Sequence, residues 1–95
     1  MSAYRHRDIT LYQRPSCPFC ARVKLANRYL SLTLQEKNIS QDPQALRELV
    51  QNGGKQQVPA LRIKEADGSH RWLYESREII EFLADNIVDL AVDVA

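Results

Sequence analysis

Cys17 and Cys20 are the only two cysteines of the chain, and they bracket Pro18 and Phe19 in the stretch Ser16-Cys17-Pro18-Phe19-Cys20. Two thiols at this spacing can exchange with a disulfide, provided one of them is present as thiolate, the form that attacks. Proline fits the first position of a helix, because its missing N–H would have had no partner there. The residue before a proline is driven out of the α region, so Cys17 is expected at the N-cap. There its sulfur faces free backbone N–H groups and the positive end of the helix dipole. Arg14 adds a cation three residues upstream. Such surroundings lower a cysteine pKa into a range of roughly 3.5–7.5. Cys20, one turn further in, is shielded by the helix and should keep a more ordinary pKa. On this reading Cys17 attacks and Cys20 resolves the mixed disulfide. Two rival readings stand beside it. The pair could be small buried hydrophobes, as free cysteines often are. It could also be half of a zinc site, which needs four ligands. The chain has no second cysteine pair, and its only histidines, His6 and His70, read as solvated surface residues.

The elements that must position this pair follow from hydrophobic spacing. Ile9 and Leu11 alternate with Thr10 and Tyr12, a short strand with one buried face, and Pro15 ends it. Val23, Ala26 and Leu30 then recur at helical spacing, with Arg22, Lys24, Asn27 and Arg28 on the remaining arc. Leu32 and Leu34 alternate with Thr33 and Gln35 and predict a second strand to about Lys37. A helix between two strands implies parallel pairing with a right-handed crossover. Asp42-Pro43 supplies an N-cap and first helical residue. Leu46, Leu49 and Val50 form that helix's predicted buried stripe, and Asn52-Gly53-Gly54 closes it. A third strand opens at Pro59 with Leu61 and Ile63 inward, and Glu65 to Ser69, containing Asp67-Gly68, reads as a hairpin turn. Trp72 and Tyr74 mark an antiparallel fourth strand. Ser76 is the expected N-cap of a last helix with Ile79, Ile80, Leu83 and Ile87 on its core face. The order is β-α-β-α-β-β-α: an α/β sandwich with a four-stranded mixed sheet and helices on both faces.

Size and charge narrow the function classes. Ninety-five residues suit one small domain, here 1–95 with a core over 8–87 and residues 88–95 either extending the last helix or fraying. Thirteen basic and twelve acidic side chains are interleaved, which leaves no nucleic-acid footprint. No run is long enough for a transmembrane helix. The polar start, Met1 to Asp8, has no signal-like apolar segment, which argues for a reducing compartment, the cytoplasm. A bridge between residues so close would constrain the unfolded chain little, so the pair is poorly explained as a staple.

Pro15-Ser16-Cys17-Pro18-Phe19-Cys20 resembles the Cys-Pro-aromatic-Cys site of dithiol glutaredoxins, and the element order from about Ile9 to Ile87 resembles their thioredoxin fold. Thioredoxins usually carry Gly-Pro between the cysteines and a tryptophan before them, and this chain has neither. The resemblance implies glutathione as co-substrate. It makes Val58-Pro59 a cis peptide whose Val58 backbone pairs with the cysteinyl part of glutathione. It also turns Arg14 and Lys55 toward the glycyl carboxylate, puts Gln57 where a threonine is common, and has Phe19 shield the sulfurs. Glu75-Ser76 resembles the N-terminal domain of glutathione transferases more than ordinary glutaredoxins. In such folds the helix N-terminus at Ser76 receives the α-carboxylate of the γ-glutamyl group, and Glu75 faces its ammonium.

The implied activity is glutathione-dependent thiol–disulfide exchange on protein disulfides or glutathionylated proteins, by a monomer without metal, nucleic acid or membrane partners. Two alternatives are a transferase-like glutathione-binding module and a dimer that bridges an iron–sulfur cluster through Cys17 and glutathione.

Overall fold

The computed structural model describes residues 8–32 and 34–86. Ile9–Gln13 forms β1, buried along its whole length. Pro18–Tyr29 forms α1, Gln35–Asn38 forms β2 and Pro43–Glu48 forms α2, which runs on into a π-helical turn, Leu49–Gly53. Ala60–Lys64 is β3, His70–Leu73 is β4 and Ser76–Asp85 is α3. The four strands lie in the order β2-β1-β3-β4. β1 and β2 run parallel, with Thr10 opposite Gln35 and Gln13 opposite Asn38. β3 runs antiparallel to both β1 and β4. The fold is therefore the mixed α/β sandwich expected from the spacing.

Strand alternation sorts the core into two layers. Ile9, Leu11, Leu61 and Ile63 join Val23 of α1 and Ile79 and Leu83 of α3 on one side of the sheet. Tyr12 and Ala60 join Ile39, Ala45 and Leu49 on the other, with Leu46, Val58, Trp72 and Tyr74 packed around them. Arg62 reaches across from β3, its guanidinium 5.8 Å from the centre of the Tyr12 ring. Tyr12 donates its hydroxyl hydrogen to Glu48 Oε1 at 2.8 Å, and Lys37 Nζ donates to the same oxygen at 2.8 Å. One carboxylate thus ties α2 to both parallel strands.

Several local expectations are corrected. The inward stripe of α1 is Cys20, Val23 and Asn27, whereas Ala26 and Leu30 are only half-buried. The buried face is rotated so that it takes in Cys20 at the helix start and Asn27 one turn beyond Val23. Neither amide atom of the Asn27 side chain has a hydrogen-bond partner among the described residues. β2 begins at Gln35, not Leu32, because the ending of α1 takes up Ser31 and Leu32. Ser31 takes a left-handed conformation, φ 58. Its N–H donates to the Arg28 carbonyl at 3.1 Å, and the Leu32 N–H donates to the Asn27 carbonyl at 2.8 Å. These are the two bonds of a Schellman ending. Leu32 and Leu34 remain buried but outside the strand, and Thr33 lies outside the described residues.

Asp42 caps α2 as its sequence implies, with Oδ1 accepting from the N–H groups of Gln44 and Ala45 at 3.0 and 3.3 Å. The buried residues of this segment are Ala45 and Leu49. Leu46 is half-buried and Val50 exposed, because the inward pair follows i,i+4 spacing from Ala45. Gly54, with φ 85, closes the π-helical turn. Asp67-Gly68 makes the β3–β4 turn, Gly68 having φ 89 and Asp67 Oδ1 accepting from the Ser69 N–H at 2.9 Å. Tyr74 falls just beyond β4. The last helix starts at Ser76 and its N-cap is Glu75, in extended conformation and without a side-chain capping bond. Ile79 and Leu83 are buried and Ile80 half-buried, while Ile87, the tail 88–95 and His6 lie outside the described residues.

Candidate functional site

β1 delivers the chain to a loop whose turn is closed by the Cys17 N–H donating to the Arg14 carbonyl at 3.1 Å. Cys17 is extended, φ −89 and ψ 118, and stands at the N-cap of α1, with Pro18 as first helical residue. Its sulfur takes the place of a capping oxygen and accepts the Cys20 N–H at 3.2 Å. The same thiol donates toward the Val58 carbonyl at 3.7 Å, a contact across 41 residues of sequence. Both cysteines are free thiols, Cys17 half-buried and Cys20 fully buried.

The electrostatics separate the two. Burial pushes the Cys17 thiol up, but hydrogen bonds from the Cys20 thiol and from the Cys20 and Phe19 N–H groups outweigh it. With the Arg14 guanidinium added, they hold Cys17 below the ordinary thiol range. Burial raises Cys20, and its hydrogen bond to Cys17 and the nearby Cys17 charge raise it further, to about 11. The site therefore holds one sulfur ready to ionise and one that keeps its proton.

Val58-Pro59 is a cis peptide, with Pro59 buried at the mouth of β3. Val58 packs its side chain into the α2-side core and leaves its carbonyl toward Cys17. Phe19 is 54% exposed beside the sulfur pair. Gln57 is exposed immediately before Val58. Lys55 lies with its ammonium 5.0 Å from the centre of the Tyr74 ring. Glu75 and Ser76 stand at the first turn of α3, the helix that packs against α1 on one face of the sheet. The described contacts thus gather Arg14, Phe19, Cys20 and Val58 around Cys17. Lys55 and Gln57 lie on the approach to Val58, and Glu75 with Ser76 at a neighbouring helix start.

Two residues gain a place that spacing had not assigned. Tyr74 donates its hydroxyl hydrogen to the Gly53 carbonyl and carries Lys55 over its ring, so it anchors the loop that leads to Val58. Arg22 stands with its guanidinium 5.5 Å from the centre of the Phe19 ring. The i,i+3 separation of Phe19 and Arg22 on a helix was a usable signal for the second contact. Nothing local to Tyr74 announced the first.

Set beside known proteins, residues 11–88 match the family profile described as glutathione S-transferase, N-terminal domain. No curated protein sequence matches the chain. Among solved structures, Leishmania TDR1, a trimeric glutathione transferase, is similar at 28% identity and a TM-score of 0.64, over 82% of this chain and 17% of that one. Glutathione transferase Omega 3C from Trametes versicolor is similar at 26% identity and a TM-score of 0.66, over 87% of this chain and 35% of that one. The buckwheat glutaredoxin–glutathione complex shares the fold, with 21% identity and a TM-score of 0.62 over 85% of this chain and 72% of that one. The chain spans a minority of the length of either transferase.

Proposed function

The chain belongs to the glutathione S-transferase N-terminal domain family, and on that premise we propose that it is a glutathione-dependent thiol–disulfide oxidoreductase of glutaredoxin type. The observation that carries this reading is the asymmetry of the two sulfurs. Cys17 is held below the ordinary thiol range at a helix start, and Cys20 is raised to about 11 behind it. A domain that only bound glutathione has no need of a second, protonated thiol in contact with the first.

In the proposed reaction the Cys17 thiolate attacks one sulfur of a protein disulfide or of a glutathionylated protein, and the other sulfur leaves as thiolate. The Cys20 thiol gives its proton to a departing thiolate and displaces the second partner, so the substrate disulfide is reduced and Cys17–Cys20 is oxidised. Two glutathione molecules then restore the dithiol and leave as glutathione disulfide, which balances the two electrons. For a glutathionylated substrate, glutathione itself can displace Cys17 and Cys20 stays a bystander.

Glutathione would pair its cysteinyl backbone with Val58, whose carbonyl already meets Cys17. Arg14 and Lys55 supply cations for the glycyl carboxylate. Glu75 answers the γ-glutamyl ammonium, and the N–H groups at Ser76 answer its carboxylate. Phe19, Gln57 and Pro59 shape the remaining walls. Residues 1–95 act in this reading as one monomeric domain in the reducing cytoplasm, on protein disulfides or glutathionylated proteins.

The test is reduction of a glutathione mixed disulfide by single variants. Cys17→Ser should abolish turnover and Cys20→Ser should largely spare it; equal loss from both would contradict the assigned roles. The family match and Glu75-Ser76 favour a second reading, a module that presents glutathione to an electrophile. Conjugation of a chlorinated nitrobenzene that survives Cys17→Ser would move the assignment there.

A further inference from the structure

The outer face of α1 is apolar and uncovered among the described residues. Leu25 is 65% exposed and Tyr29 89% exposed. With Pro18, Ala21, Arg22 and Ile80 of α3 they line a groove of about 550 Å³. The α1 positions recur three or four residues apart, so they form one stripe from the helix start to its last residue. Exposed apolar patches of this kind mark surfaces that a partner covers.

The stripe starts at the reactive sulfur. Pro18, its first residue, follows Cys17 directly, and the Arg22 guanidinium lies 5.5 Å from the centre of the exposed Phe19 ring. No residue of the lining belongs to the set proposed to hold glutathione, so one ligand can occupy both at once. At 1.5 Å per helical residue the stripe from Pro18 to Tyr29 is about 17 Å long, the reach of roughly five residues of extended chain.

Charge narrows the occupant. α1 carries Arg22, Lys24 and Arg28 and no acidic residue. On α3, which adds only Ile80 to the lining, Arg77 and Glu81 pair with each other at 3.9 Å. An acidic side chain among apolar ones therefore suits the groove, whereas a second copy docked α1 to α1 would set the same three cations against each other.

We propose that the groove between α1 and α3 docks the segment around the modified cysteine of a glutathionylated protein, a segment with apolar residues and an acidic one within about five positions of that cysteine. The inference rests on the thiol–disulfide reading above and names its substrate class. The Cys17 thiolate attacks the glutathione sulfur, and the docked segment leaves as its cysteine thiolate and takes up a proton. A second glutathione then displaces Cys17 and departs as glutathione disulfide.

The experiment compares two synthetic glutathionylated peptides, one with leucine, valine and aspartate beside the cysteine and one with serine and lysine in their place. The mixed disulfide of glutathione with mercaptoethanol serves as a substrate too short to reach the groove. The native protein should show a kcat/KM about tenfold higher for the apolar, acidic peptide. Leu25→Glu and Tyr29→Ser should each remove most of that preference and leave turnover of the mercaptoethanol disulfide unchanged. Equal kcat/KM for the two peptides, or a preference that both variants retain, would overturn the docking proposal while the small disulfide is still reduced. A native protein that turns over none of the three substrates would overturn the thiol–disulfide reading, and the proposal with it. Self-association in sedimentation velocity that Leu25→Glu abolishes would overturn the proposal in favour of a second copy on this face.

Discussion

Cys17 and Cys20 share one hydrogen-bonded unit yet titrate in opposite directions. The Cys17 sulfur accepts backbone N–H groups, which favours its anion, whereas Cys20 meets burial and a neighbouring sulfur charge, which favour its thiol. The signs set the pH behaviour. Cys17, depressed, contributes stability that is present above the unfolded thiol pKa of about 8.5 and is lost as pH falls through its folded value. Cys20, raised to about 11, contributes stability below that unfolded value and loses it as pH climbs toward 11. Brief iodoacetamide treatment of the reduced protein at pH 7 should therefore label Cys17 and leave Cys20 unmodified by peptide mass mapping. Comparable label on both would contradict the electrostatic asymmetry.

At the scale of elements, two short segments carry unusual demands. Ser31 holds a left-handed conformation at the end of α1, where a side chain costs about 1–2 kcal/mol that glycine avoids. After the extra unfolded-chain freedom of glycine is subtracted, Ser31→Gly should stabilise the fold by roughly 0.5–1 kcal/mol in urea unfolding. Gly53 makes the opposite demand. A Cβ there would run into the Tyr74 hydroxyl and come within 3.1 Å of the Trp72 ring. Gly53→Ala should displace Tyr74, break its bond to the Gly53 carbonyl and cost about 1–3 kcal/mol. Because Tyr74 also carries Lys55, which the proposed function sets against the glycyl carboxylate of glutathione, the same variant should raise the KM for glutathione, which steady-state kinetics would detect.

Across the whole molecule, Glu48 is the point where α2, β1 and β2 meet. Its bond from Lys37 is the main cause of a carboxylate held below its usual pKa, opposed by burial and aided by the Tyr12 hydroxyl. A depressed carboxylate contributes stability that is present above its unfolded pKa of about 4.3 and is lost as pH falls through the folded value. Glu48→Gln keeps an acceptor for Tyr12 but removes that dependence. The native protein should lose stability below about pH 4.3 more steeply than the variant in acid titrations followed by circular dichroism. Parallel curves for the two proteins would remove Glu48 from the acid response.

Local chemistry made the helix starts legible from sequence. Pro18 behind Cys17 and Pro43 behind Asp42 each act within one turn, so neighbours a few residues apart determine them. Strand alternation likewise assigned Ile9, Leu11, Leu61 and Ile63 to one layer, because a period of two leaves each side chain one face to choose. What resisted reading depends on distant partners or on a backbone conformation that its residue rarely takes. The rotation of α1 that buries Asn27 depends on the sheet beneath it, and the late start of β2 on a helix ending that only a left-handed Ser31 could complete. The site divides along the same line. The sequence determined that two thiols share a helix start, with the first at the cap. Tertiary structure alone decided that Cys17 meets the Val58 carbonyl 41 residues away and that Cys20 is sealed from water. The spacing sets the local hydrogen bonds that lower Cys17, and burial, which only the packed fold supplies, is the main cause that raises Cys20.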